Sequence, residues 1–159
     1  MIDRITRLAG VVLALLVSQA AWSQSVQEHV HGMSHEVMPF DVAKTVHVFR
    51  MTEDGGVQRV VVKGKDRDAR QIALIRQHLE HEAMQFQMGN FGDPAHLHGQ
   101  SMPGLAELHA GAAAMKIAYK PLPDGGEIVF STSDIKLVTA IHRWFGAQLS
   151  EHGADAKAE

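Results

Sequence analysis

Two Asp-Gly-Gly turns, Asp54-Gly55-Gly56 and Asp124-Gly125-Gly126, stand 70 residues apart and organise the whole chain. Residues 44–51 alternate before the first turn, and the β-branched run 57–63 follows it, so the pair predicts a hairpin built on residues that tolerate positive φ. Residues 115–120 and 127–132 repeat the arrangement around the second turn, with Met115, Ile117 and Tyr119 on one side of the strand. Each hairpin is followed by an aspartate or serine able to cap a helix. Asp66 or Asp68 opens a segment reaching about Met88, where Ile72, Ile75, Leu79, Ala83 and Phe86 recur at spacings of three and four. Ser133 or Asp134 opens the second, where Ile135, Val138, Ile141, Phe145 and Leu149 do the same.

A lone hairpin cannot bury a face, whereas four strands with two helices laid over one face can. The predicted fold class is therefore α+β, with duplicated ββα units forming a four-stranded antiparallel sheet and both helices, 66–88 and 134–150, on one face. Ile75, Leu79, Phe86, Ile117, Phe130, Ile141 and Phe145 are the predicted core. A second repeat supports duplication: His29-Val30-His31-Gly32-Met33-Ser34 matches His96-Leu97-His98-Gly99-Gln100-Ser101, and each precedes a hairpin–helix stretch.

Arg4 and Arg7, the apolar run 8–17 and Ala21-Trp22-Ser23 form a signal-peptide pattern over residues 1–23, with cleavage before Gln24. The apolar run is shorter than the roughly 20 residues that span a bilayer, so no stable membrane insertion is expected after cleavage. The expected location is periplasmic or secreted. Residues 24–42 are polar and histidine-rich and are expected to form a flexible arm. Residues 43–150 make a single α+β domain, and residues 151–159 a frayed tail. Loss of Asp3, Arg4 and Arg7 takes the formal charge from -3 to -4, which gives no basic footprint for nucleic acid. With no cysteine, an exported chain of this kind has no disulfides and must be held by packing.

All 11 histidines and seven of the 8 methionines follow the signal pattern. Imidazole and thioether together suit copper, and imidazole alone also suits zinc and nickel. The expected cofactor is copper, with zinc and nickel behind it, and the expected partners are the metal ion and a periplasmic protein. His96, His98 and Met102 lie in a stretch framed by Gly92, Pro94, Gly99 and Pro103, read as a loop that can aim three donors at one ion. His109 is a further donor if the short helix at 105–110 folds back. His29, His31, Met33 and His35 form a second cluster, either a loose ligand set or a solvated tail. His78 and His81 share a helix flank with Glu82, either as ligands or as a solvated face. His47 and His142 read as core histidines, each with a satisfied nitrogen, rather than as ligands.

No nucleophile elbow, phosphate-binding glycine loop or cysteine nucleophile is present, so no catalytic residue is assigned. The alternative to metal binding is a metal-free binding or interaction domain with solvated or pH-responsive histidines. Residues 45–51, the string Met102-Pro103-Gly104-Leu105 and residues 140–149 resemble segments of a family of small exported proteobacterial proteins often labelled aspartate carbamoyltransferase. The resemblance implies export but no established function. The string nearest to a carbamoyl-phosphate loop, Ser131-Thr132-Ser133-Asp134, lacks the arginine and offers a carboxylate where a phosphate would sit, so that activity is not expected.

Overall fold

A computed structural model of the chain describes residues 26–64 and 67–159. The expected signal peptide and the Asp66 cap lie outside the described residues. The described chain begins with a helix, α1, over residues 26–37. The elements that follow are β1 (Thr45–Thr52), β2 (Gly55–Val62), α2 (Ala69–Gln87), α3 (Gly92–His98) and α4 (Leu105–Gly111). The chain then runs through β3 (Lys116–Leu122), β4 (Gly125–Ser131), α5 (Ile135–His152) and β5 (Ala156–Ala158).

The class is α+β, but the sheet has five strands in the order β3-β4-β2-β1-β5 and is mixed, because β5 runs parallel to β1. This corrects the expected four-stranded antiparallel sheet. The tail expected to fray instead turns at Gly153–Asp155 and pairs Ala156, Lys157 and Ala158 with His47, Val48 and Phe49. The edge of β1 has free backbone donors and acceptors there, and a short strand satisfies them. Residues 26–42 are likewise not an aperiodic arm. Val26, Val30, Met33 and Val37 fall at helical spacing, and Val30, Met38, Phe40 and Val42 are buried in the core.

The two hairpins share one register. Thr45 pairs with Val62 in the first, and 70 positions on Thr45 and Val62 become positions 115 and 132, continuing the ladder in which Lys116 pairs with Ser131. The central β2–β4 ladder is symmetric under the same shift, pairing Gly55 with Ser131 and Val61 with Gly125. Both turn glycines are required by close approach. A Cβ at Gly55 would stand 2.2 Å from the Phe130 carbonyl oxygen, and one at Gly125 would stand 2.0 Å from that of Val60. Asp68 and Asp134 accept from the first-turn amides of α2 and α5.

Cross-strand partners share a face, so His47, Phe49, Gln58, Val60, Ile128 and Phe130 point to one side. Both long helices cover that side: Phe130 meets Phe86 of α2 at 6.0 Å and Trp144 of α5 at 5.6 Å between ring centres. Ile75, Leu79, Phe86, Ile117, Phe130, Ile141 and Phe145 are all buried. Aligning the caps Asp68 and Asp134 pairs Leu79 with Phe145, His78 with Trp144, and Glu82 with Gln148. The last two pairs face the same interior space.

Candidate functional site

Between the sheet and the two helices is a cavity of about 40 Å³, large enough for two or three waters. β1 contributes His47 and β2 contributes Gln58; α2 supplies His78 and Glu82 one turn apart. α3 adds Asp93 and His98, while α5 adds Trp144, Gln148 and His152. Three buried polar atoms of residues lining this cavity have no hydrogen-bond partner among the described residues: His47 Nδ1 and Gln58 Oε1 from the sheet and Trp144 Nε1 from α5. Orphaned buried groups are uncommon because each costs about 1–3 kcal/mol, and three around one cavity mark a polar site. The fourth such atom, Arg50 Nε, stands apart from the cavity and lies 3.6 Å from the Glu159 carboxylate.

The imidazoles form a short row. His47 stacks on His152 with ring centres 4.8 Å apart, and His98 meets His152 edge-on at 5.0 Å. His98 Nδ1 is 2.7 Å from Glu151, with its side chain 2% exposed, so Nε2 is the nitrogen left for another partner. Burial pulls His47 down from 6.5 to about 4; His78 adds to that, and Asp155 opposes it. His152 is pulled well below 6.5 by burial, then by His47 and His98. Burial also brings His78 to about 4 against the pull of Asp93. These three rings are neutral at pH 7 and carry free lone pairs. Glu82 is pushed the other way, up to about 8, by burial and then by Asp93, to which its carboxyl group is hydrogen-bonded. It is therefore a neutral acid at pH 7.

The expected His96-His98-Met102 set is not brought together. Pro94 is accommodated in the first turn of a helix, so the stretch read as a loop is α3. Two residues apart on a helix point to different sides. His96 is accordingly exposed beside Glu36 at 2.9 Å, His98 turns inward, and Met102 is 4% exposed in the apolar core. His109 is engaged by the Gly89 carbonyl. His29, His31 and His35 line the outside of α1, with His31 Nδ1 3.3 Å from Asp155, while Met33 packs against the core. His81 is exposed and His78 faces the cavity, so the two do not act as one pair. His142 Nε2 lies 3.0 and 2.9 Å from the Thr52 and Gly55 carbonyls, as a satisfied core histidine.

Sequence reasoning missed His47 and His152. His47 is a core histidine as expected, with a backbone hydrogen bond to Asp155, but its Nδ1 is unpartnered among the described residues. His152 falls in the polar stretch expected to fray, yet it lies seven residues after Phe145 and continues the buried stripe of α5. Among the described residues, no three His, Asp or Glu side chains already stand as a formed metal set. Asp134 caps α5 through its bond from the Lys136 amide, so the amide end of that helix already holds a carboxylate. No helix among the described residues is long and apolar enough to cross a membrane. No family model, curated protein or solved structure matched this chain.

Proposed function

We propose that this is an exported metal-binding protein that buffers or delivers copper, and that the ion is taken by His47, His98 and His152. The observation that carries the reading is the buried, unpartnered Nδ1 of His47, one member of a row of three neighbouring imidazoles. With metal–nitrogen bonds of about 2 Å, two imidazoles on one ion have ring centres roughly 5 Å apart. The separations of 4.8 and 5.0 Å match that spacing; the His47 and His152 rings are stacked, 17° from parallel, and would have to turn for both to face one ion. Glu151 on His98 supplies the carboxylate that orients a ligating imidazole and raises its basicity. The neutral state of His47 and His152 means that no proton has to be displaced from them at pH 7. Imidazole donors suit copper, with zinc and nickel behind it. In this reading the two hairpin–helix halves are a duplicated unit with the site at their junction, and a protein of the exported compartment exchanges the ion.

The second reading is a metal-free binding module. It has its own observation: a cavity of about 40 Å³ has room for the two or three waters that would satisfy the orphaned atoms. Titration of the untagged chain with Cu(I) and Cu(II), with Zn(II) as competitor, separates the two. Stoichiometric binding that is lost in His47→Gln and His98→Ala, and kept when His29, His31 and His35 are all alanine, supports the inner site. Retention in the first two variants with loss in the third moves the ion to α1. No binding by the parent leaves the metal-free module.

A further inference from the structure

The inner imidazoles need a way in, and one side of the cavity has a wall only one side chain thick. A surface groove of about 360 Å³ runs between α1 and α2, lined in part by His35, Glu36, His81 and Asp93. His78, Asp93 and Met38 line both this groove and the inner cavity. His78 thus stands at the boundary, with its ring edge-on to Phe40 at 5.6 Å between centres. His35 and His81 are exposed at the groove, on facing helices. Its lining includes two carboxyl-bearing residues and no lysine or arginine.

We infer that this groove is the port through which a soft metal cation reaches the inner histidines, with His35 and His81 as capture ligands and His78 as the ligand that passes the ion inward. The inference rests on the inner-histidine reading. Its physical basis is continuity of donors. An ion that has shed water needs a replacement ligand at each stage, and imidazoles at the mouth, at the boundary and in the cavity supply them in series. Carboxylates beside the mouth also raise the local cation concentration, as clefts of one sign do. A second groove, lined in part by His29 and His96, touches the cavity through Leu97 and the inner ligand His98, which Glu151 holds, so it has no separate ring at its boundary to pass an ion on as His78 does.

The test measures loading rates rather than affinities. Cu(I) held by a weak coloured chelator is mixed with the untagged chain in a stopped-flow instrument, and chelator absorbance follows the transfer. The double variant His35→Ala/His81→Ala alters only exposed side chains and should load at least about tenfold more slowly. Its final stoichiometry and affinity should equal those of the parent. His29→Ala, on the second groove, should load at the parental rate. Parental uptake with an unchanged rate in the double variant overturns the port and leaves the inner site standing. A slowed His29→Ala with a normal double variant overturns it by moving the route to the other side. No stoichiometric uptake by the parent overturns both readings.

Discussion

Glu82→Gln isolates the one buried acid of the cavity. Glu82 is 5% exposed, and its folded-state value of about 8 lies above the ordinary 4.5. The folded protein therefore holds a proton that the unfolded chain releases between those two values. The stability contributed is full below about pH 4.5 and is lost as pH rises through about 8. At roughly 1.4 kcal/mol per pKa unit, the loss between pH 5 and 8 comes to about 3–4 kcal/mol. Glutamine keeps a donor for Asp93 but has no proton to lose, and the equivalent position in the other half is already Gln148. Urea unfolding of the chelator-treated protein from pH 5 to 8.5 should show the variant gaining about 3 kcal/mol on the parent across that range. A parent-to-variant difference that stays constant within about 1 kcal/mol would refute the assignment of a buried neutral acid. His47 and His78 act in the opposite sense. Their folded values of about 4 lie below 6.5, so the stability they contribute is present above pH 6.5 and is lost as pH falls through 4. The parent should be most stable near pH 6.5, between the two limbs.

His142→Ala removes the ring that ties α5 to the carbonyls of Thr52 and Gly55; it should cost about 1–3 kcal/mol in thermal unfolding while leaving metal stoichiometry intact. Deleting residues 156–159 removes β5 and the Arg59–Glu159 pair at 2.6 Å, and should cost about 2–3 kcal/mol. Backbone amide exchange at His47–Phe49 should rise in that truncation, and unchanged protection there would mean that β5 does not shield the edge of β1.

The hairpins and long helices were legible because their signals are local: a turn that demands glycine, an alternating run, an apolar stripe behind a capping aspartate. The elements that were missed owe their form to neighbours. Ala156-Lys157-Ala158 has no strand propensity of its own and pairs because β1 presents an open edge. The histidines of α1 make residues 26–37 polar overall and mask the apolar stripe Val26, Val30, Met33 and Val37. In α3, glycine and proline at the ends suggested a loop, though Pro94 sits where a helix tolerates it. The site was half visible. His78 and His98 stood out by spacing, but their partners His47 and His152 come from the two ends of the domain, which the packing of α5 on β1 and the parallel β1–β5 pairing bring together.

The two halves also say which cavity residues packing does not demand. The 70-residue shift that superimposes the hairpins sets Ile117 at the position of His47, and the helix alignment sets Phe86 at that of His152. Ile117 and Phe86 are both buried, so the fold accepts apolar side chains at these two positions of the other half. The double variant His47→Ile/His152→Phe should therefore fold. It removes the orphaned His47 Nδ1, whose burial costs about 1–3 kcal/mol, and two rings whose protonation destabilises the parent as pH falls. At pH 7 its stability should equal or exceed that of the parent, and at pH 5 the advantage should widen by at least about 1 kcal/mol. Copper binding should be absent. A variant that is less stable at both pH values would show the histidines to be structural, and one that still binds copper stoichiometrically would place the ligands elsewhere. Greater stability with lost binding would be the signature of residues retained for an ion, because imidazoles at these positions raise the free energy of the metal-free fold.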